Sequence, residues 1–326
     1  DPPMKLVLKI VASLVLVVAL LGTAGYAWAK GKSSAILGRT ISSHAADFPV
    51  PFPLNSVEIA EAALTAERAD ALALERALER GRHLVESRYS CTECHGADFG
   101  GGTMVDDPLI GRLLGPNITS GEGGKTAAYT VADWDRIVRH GIRPDGRPAA
   151  MPSGDFQGMS DRELSDIVAY IRSVPPVDAE VPPVSLGPLG TVLVATGKIP
   201  LSADLIRDHA GRHPAIPPAE EATVEFGRHL ANVCTGCHGQ DLTGGKVPGG
   251  DPSWPAAANL TPLADGLGGW SYEHFVAAMR EAKRPDGTEL LAPMNGVTAY
   301  TGRMTETEME ALWMYLRSLP PTAAGG

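Results

Sequence analysis

The chain has 326 residues, with 44% hydrophobic and 20% charged residues and a net charge of −10. This composition fits globular domains and excludes a disordered or fibrous chain, and the length has room for two domains and further segments. The acidic balance argues against nucleic-acid binding, which needs a basic face to neutralise phosphates, and 37 glycines with 27 prolines predict much loop.

In chain order the first feature is Ile10–Ala29, 20 residues without a charge. A helix of that length crosses a hydrocarbon core of ~30 Å. Lys5 and Lys9 precede the run, and Tyr26 and Trp28 lie near its far end, where amphipathic rings favour the membrane interface. A cleaved signal peptide is the rival reading, because Ala27-Trp28-Ala29 has the small-x-small form of a cleavage site. The length of the run favours a retained anchor. Residues 1–30 are therefore assigned to a transmembrane anchor that meets lipid through residues 10–29, and residues 31–56 to a linker.

Residues 57–177 form the first expected domain. Val57 to about Tyr89 is rich in Ala, Leu, Glu and Arg, which predicts one long helix. A glycine loop follows at Gly100–Gly102, and Thr130-x-x-Asp133 opens a helix to about His140 with Trp134 on its apolar face. Ser160-x-x-Glu163 is a capping box for a helix that Pro175-Pro176 stops after Ser173. Residues 178–216 are proline-rich and repeat nothing, so they read as a connector whose apolar piece Leu189–Ala195 packs as a strand or strut. In the second domain, residues 217–326, Ser271 to about Glu281 is the middle helix, with Phe275 in the place of Trp134. Thr305-x-x-Glu308 caps the closing helix to Ser318. The expected fold class is all-α: a transmembrane helix followed by two helical domains.

All four cysteines lie in two C-x-x-C-H motifs, Cys91-Thr92-Glu93-Cys94-His95 and Cys234-Thr235-Gly236-Cys237-His238. In this arrangement each thiol adds across a haem vinyl group, and the adjacent histidine becomes the proximal iron ligand. A redox-active cysteine pair needs no histidine after it. A zinc ribbon separates its pairs by ~15–20 residues, whereas Cys94 and Cys234 are 140 apart. Two covalent haem c groups are therefore expected.

The motifs sit in an internal duplication. Gly81-Arg82-His83-Leu84 recurs as Gly227-Arg228-His229-Leu230, Asn117-Ile118-Thr119 as Asn259-Leu260-Thr261, and Arg143-Pro144-Asp145-Gly146 as Arg284-Pro285-Asp286-Gly287. Met151 and Met294 each lie 60 residues after the first cysteine of their motif, beside Pro152 and Pro293. An iron that carries electrons needs a second axial ligand, and these two methionines are the candidates. Met159 and Met304 also match across the repeat, but each precedes a capping box and reads as a hydrophobic staple. His83 and His229 recur on the helix leading into each motif, where a buried or propionate-contacting role is expected. His44, His140, His209, His213 and His274 have no counterpart and are assigned surface or core roles.

On these motifs each unit resembles a class I cytochrome c domain. Together with Gly115-Pro116-Asn117-Ile118-Thr119, Asn259-Leu260-Thr261-Pro262 and the closing proline pairs, the tandem is similar to the multi-haem cytochrome c subunits of membrane-bound alcohol and gluconate dehydrogenases. The resemblance covers roughly residues 75–176 and 220–321. It implies that a proline carbonyl accepts a hydrogen bond from the proximal histidine, a role Pro116 fits for His95; the second unit has Ala258 there. Asn117 and Asn259 are placed with the cofactor-binding residues on the same ground. The dehydrogenase subunits usually carry three haems and tend to be anchored at their other end, so a quinol-oxidising, terminal-oxidase or photosynthetic complex stays open as the partner.

The expected function is electron relay by a membrane-held dihaem cytochrome, with no catalysis of its own. Haem c attachment is completed on the outer side of the energy-converting membrane, which implies a single-pass inner-membrane protein with its haem domains in the periplasm. The acidic excess would suit a partner with a basic docking face. A dihaem enzyme, such as a peroxidase or a sulfur-compound dehydrogenase, is the rival; a peroxidase would need one iron with an open or displaceable ligand.

Overall fold

The computed structural model describes residues 2–324. Helix α1 runs Pro2–Gly38, and its Met4–Gly38 portion has a mean hydropathy of 2.6 in its most apolar window with no part of that window buried. The helix thus continues past the expected anchor limit at residue 30. Residues 39–53 are not a free linker, because they lie on the first unit. Ile41 and His44 donate backbone hydrogen bonds to Gly146 and His209, Ser165 donates to the Pro49 carbonyl, and Phe48 is buried in the core.

Unit 1 contains α2 (Ser56–Glu61), α3 (Ala66–His83), a π-helical turn (Leu84–Arg88), α4 (Cys91–His95), α5 (Val131–His140) and α6 (Asp161–Ser173). The single helix expected from Val57 to Tyr89 is interrupted. Ala63 adopts a left-handed φ of 49°, and Thr65 then caps α3 by accepting from the Arg68 amide. Ser, Thr and Asn oxygens satisfy the free amides at a helix start, so a new cap restarts the helix at little cost. Thr130 and Ser160 close full capping boxes on α5 and α6 as expected.

The all-α expectation needs one amendment. Strands β1 (Gly102–Asp107) and β2 (Gly111–Gly115) form an antiparallel hairpin, and β3 (Ser185–Leu186) from the connector adds to β2. The turn is fixed by the Asp107 carboxylate, which accepts from the Leu109 and Ile110 amides. The matching stretch of unit 2 carries Pro248, Pro252 and Pro255, which remove ladder donors, and keeps a single bridge between Gly245 and Ala257.

The connector holds α7 (Pro188–Ala195) and α8 (Ser202–Leu205). Leu189–Ala195 is thus a helix and not a strand. It packs against α1, where Ala29 at the end of the apolar run and Ser33 beyond it are buried. Unit 2 follows with α9 (Val224–Leu230), α10 (Thr235–His238), α11 (Tyr272–Glu281), α12 (Met294–Thr301) and α13 (Glu306–Ser318).

In both units the helix before the motif crosses the closing helix at a glycine. A Cβ on Gly81 would fall well inside 3.0 Å of the Asp166 carbonyl and the Tyr170 side chain, and one on Gly227 would do the same to Ala311 and Tyr315. The close crossing sets the angle at which each motif leaves its helix. One apolar core forms per unit, around Leu84, Trp134, Leu164 and Val168 in the first and Phe226, Phe275, Met309 and Leu312 in the second.

Candidate haem sites

The four cysteines do not converge, since each pair stays with its own unit, Cys91 and Cys94 on α4, and Cys234 just before α10 with Cys237 on it. Burial pushes the Cys91 and Cys234 thiols up to about 12, so as free groups neither is a ready thiolate. Ser90, just before the first motif, takes a left-handed φ of 44°, and Gly96 just after it has φ 81°. The loop is cradled by backbone. A Cβ at Gly115 or Gly102 would strike the Cys94 carbonyl.

His95 donates through Nδ1 to the Pro116 carbonyl at 2.9 Å, and His238 donates through Nδ1 to the Ala258 carbonyl at 2.7 Å. The exchange of proline for alanine therefore leaves the bond intact, because its acceptor is backbone. Burial lowers both imidazole pKa values, opposed by these bonds, so both rings stay neutral with the Nε2 lone pair available for iron. Met151 packs half-buried against the first core, as does Cys91, and Met294 against the second core, as does Cys234. Each follows the same small hairpin, closed by Ile142 with Pro148 and by Lys283 with Glu289. The staple methionines Met159 and Met304 are 1% and 8% exposed within the cores. In the cluster that holds Cys91 and Met151, Trp134 is buried and its indole N–H has no partner among the described residues; a carboxylate-bearing cofactor would satisfy it. The residues present fit a covalent haem in each unit.

Asn117 and Asn259, expected beside the cofactor, are tied into the local backbone. The Asn117 amide donates to the Val177 carbonyl at 2.7 Å, and its oxygen accepts from the Thr119 amide and hydroxyl. Asn259 binds the Thr322 carbonyl at 2.8 Å and accepts from the Thr261 amide. Their polar atoms are taken by backbone and neighbouring side chains, so each latches the loop after the proximal histidine to the chain leaving the closing helix.

The units meet through a two-fold-like exchange. His83 of unit 1 pairs with Glu308 at 2.9 Å, and His229 of unit 2 pairs with Glu163 at 2.8 Å. Both glutamates are the capping-box residues of the closing helices, so one side chain caps its helix and binds the other unit. Arg88 lies between them, 5% exposed, bridging Glu163, Glu220 and Glu308 and sitting over the Phe226 ring. Val233, the neighbour of Cys234, packs against the first core, and a Cβ on Gly236 inside the second motif would strike Asp155. Reciprocally, α12 packs on the Leu84–Arg88 turn ahead of the first motif. In each direction the segment following the candidate methionine seats against the segment carrying the other unit's attachment motif.

The family model described as cytochrome c oxidase, cbb3-type, subunit III matches residues 76–171, and the cytochrome c model matches residues 224–320. Both units are cytochrome c domains. Two c-type haems follow, one per motif. The cytochrome is 29% identical over 258 residues to the alcohol dehydrogenase (quinone) cytochrome c subunit of Gluconacetobacter polyoxogenes, covering 71% of this chain and 52% of that protein. It is 24% identical over 271 residues to the fructose dehydrogenase cytochrome subunit of Gluconobacter japonicus, covering 76% and 54%. With the diheme cytochrome c-type protein of Cereibacter sphaeroides it shares 24% identity over 257 residues, covering 71% and 82%. The chain spans about half the length of the dehydrogenase subunits it matches.

Proposed function

We propose that this cytochrome is a membrane-held electron relay, with His95 and Met151 on one iron and His238 and Met294 on the other. When bound, each haem supplies a one-electron centre. A histidine and a methionine from the protein would hold each iron, closing it to substrates and favouring the reduced state. The neutral His95 and His238 rings, held by the Pro116 and Ala258 carbonyls, would each offer Nε2 to an iron in one fixed orientation. The observation that carries the relay reading is the reciprocal seating of the two motif regions: residues 153–156 rest on the second motif while α12 rests on the approach to the first. This contact between the two motif regions would let haems held there exchange electrons through the protein.

Helix α1 supports placement in a bacterial inner membrane, with the domains on the periplasmic side where haem c is attached. A membrane redox complex is the partner. The relatives named as subunits of alcohol, fructose and gluconate dehydrogenases favour a membrane dehydrogenase as donor, with a quinol-oxidising complex, a terminal oxidase or a reaction centre as further candidates.

Pulse radiolysis of the full-length, detergent-solubilised protein tests the relay. After reduction of less than one haem per molecule, the electron should redistribute between the haems at a rate independent of protein concentration. A rate that scales with concentration means that the haems communicate only between molecules, and the relay reading fails.

A further inference from the structure

Four of the nine histidines, none of them in the repeat, converge on one buried aspartate. His44 comes from the segment after α1, His140 from the last turn of α5, and His209 and His213 from the chain between α8 and α9. Asp135 lies on α5 and its side chain is 0% exposed. One carboxylate oxygen accepts from Arg139 Nε at 2.8 Å, while the other, Oδ2, is buried without a hydrogen-bond partner among the described residues. Around that oxygen stand His44 Nε2 at 3.5 Å and His140 Nε2 at 3.7 Å, and His213 Nε2 is 3.3 Å from His140 Nε2. Metal–nitrogen bonds of ~2.0 Å separate neighbouring donors of a tetrahedral site by ~3.3 Å, so these spacings are close to the edges of one coordination shell.

The surrounding hydrogen bonds set the tautomer. His209 Nε2–H donates to the Ala203 carbonyl at 3.1 Å, which leaves its Nδ1 to accept from His140 Nδ1–H at 3.1 Å. The His140 lone pair is thereby placed on Nε2, facing Asp135 and His213. Outer hydrogen bonds of this kind orient metal-binding histidines and raise their basicity.

We propose that His44, Asp135, His140 and His213 bind one divalent first-row transition ion of the zinc type, with His209 and Arg139 as positioning residues. Three imidazoles and a carboxylate are a donor set suited to zinc. An ion there joins the segment leaving α1, the first haem domain and the connector to unit 2. It fixes how the haem domains stand on the membrane helix.

The test uses the full-length haem-loaded protein, dialysed against micromolar zinc chloride and then against zinc-free buffer, with zinc and iron counted by mass spectrometry. One zinc per two irons is expected, with a zinc X-ray absorption spectrum of nitrogen and oxygen neighbours and no sulfur. His213→Ala, at a half-buried position, and His44→Ala should each weaken zinc binding at least about tenfold, by analogy with supporting-residue losses at metal sites, with haem absorption unchanged. His274→Ala, outside the cluster, should leave it unchanged. Zinc should also raise the Tm of the wild type and not that of His213→Ala. Equal zinc retention in wild type and the His44→Ala/His213→Ala double variant, or no retention in either, overturns the site and leaves a chain of hydrogen-bonded neutral imidazoles.

Discussion

Replacing Glu308 with Gln removes the carboxylate that one unit lends to the other while keeping its shape. The side chain is 2% exposed and binds His83 at 2.9 Å and Arg88, and it also caps α13 by accepting from the Thr305 amide at 2.7 Å. Burial alone would raise its pKa, but the His83 hydrogen bond and the Arg88 charge outweigh it and hold the carboxyl down to about 2, from an ordinary 4.5. That depression corresponds to ~3 kcal/mol of stability. The native glutamate binds fewer protons than the unfolded one, so this stability is present above pH 4.5 and is lost as pH falls toward 2. Breaking a buried ion pair by removing one partner costs about 3–5 kcal/mol, but Arg88 keeps Glu220 at 2.9 Å and Glu163 at 3.4 Å. A loss of ~2–4 kcal/mol at pH 7 is therefore expected for Glu308→Gln. Urea unfolding followed by far-UV circular dichroism at pH steps from 7 to 2.5 reads both effects. Wild type should lose stability across the acid window, and the variant should lack this component. Adding Arg88→Met to Glu308→Gln should cost less than the two single losses summed, because each single variant leaves a buried charge underpaired. A variant within ~0.5 kcal/mol of wild type at pH 7, with an unchanged acid profile, would refute this account of the interface.

The helix crossings give a second prediction: Gly81→Ala and Gly227→Ala should each destabilise by ~1–3 kcal/mol in urea, the usual cost of overpacking, because each new Cβ meets backbone carbonyl atoms. An effect near zero would mean that the helices separate freely. Asn117→Leu should lower stability by ~1–3 kcal/mol through the lost bond to the Val177 carbonyl and the Thr119 amide left without its acceptor while leaving the haem potential unchanged; a large shift in potential would assign Asn117 to the cofactor. Deleting residues 1–38 uncovers the face of α7 that packs on Ala29 and Ser33. The shortened protein should self-associate on gel filtration without detergent, and a clean monomer would argue against that packing.

Local signals were the legible ones. Ser160, Thr305 and Thr130 cap the helices their capping boxes announced, because a cap is decided within four residues. The glycine crossings were also readable, since Gly81 and Gly227 repeat in register with Tyr170 and Tyr315. The hairpin in unit 1 depended on an Asp107 turn that the glycine-rich composition concealed, and the break at Ala63 on a threonine cap without its glutamate. Features that join distant segments were not visible. His83 and His229 could have been matched to Glu308 and Glu163, because both pairs repeat in register, but only the packed units show that the pairing is crossed. The histidines around Asp135 come from three segments and have no repeat to align them, so nothing local marked them as a group.

The most direct test of the account is the near-infrared iron–methionine charge-transfer band of the oxidised protein, quantified per haem. Two closed His/Met irons predict full intensity in the wild type and half in Met151→Ala or Met294→Ala, while Met159→Leu and Met304→Leu keep it whole. A wild-type band worth one haem, or one that survives either ligand substitution, would contradict the assignment and reopen the dihaem-enzyme reading.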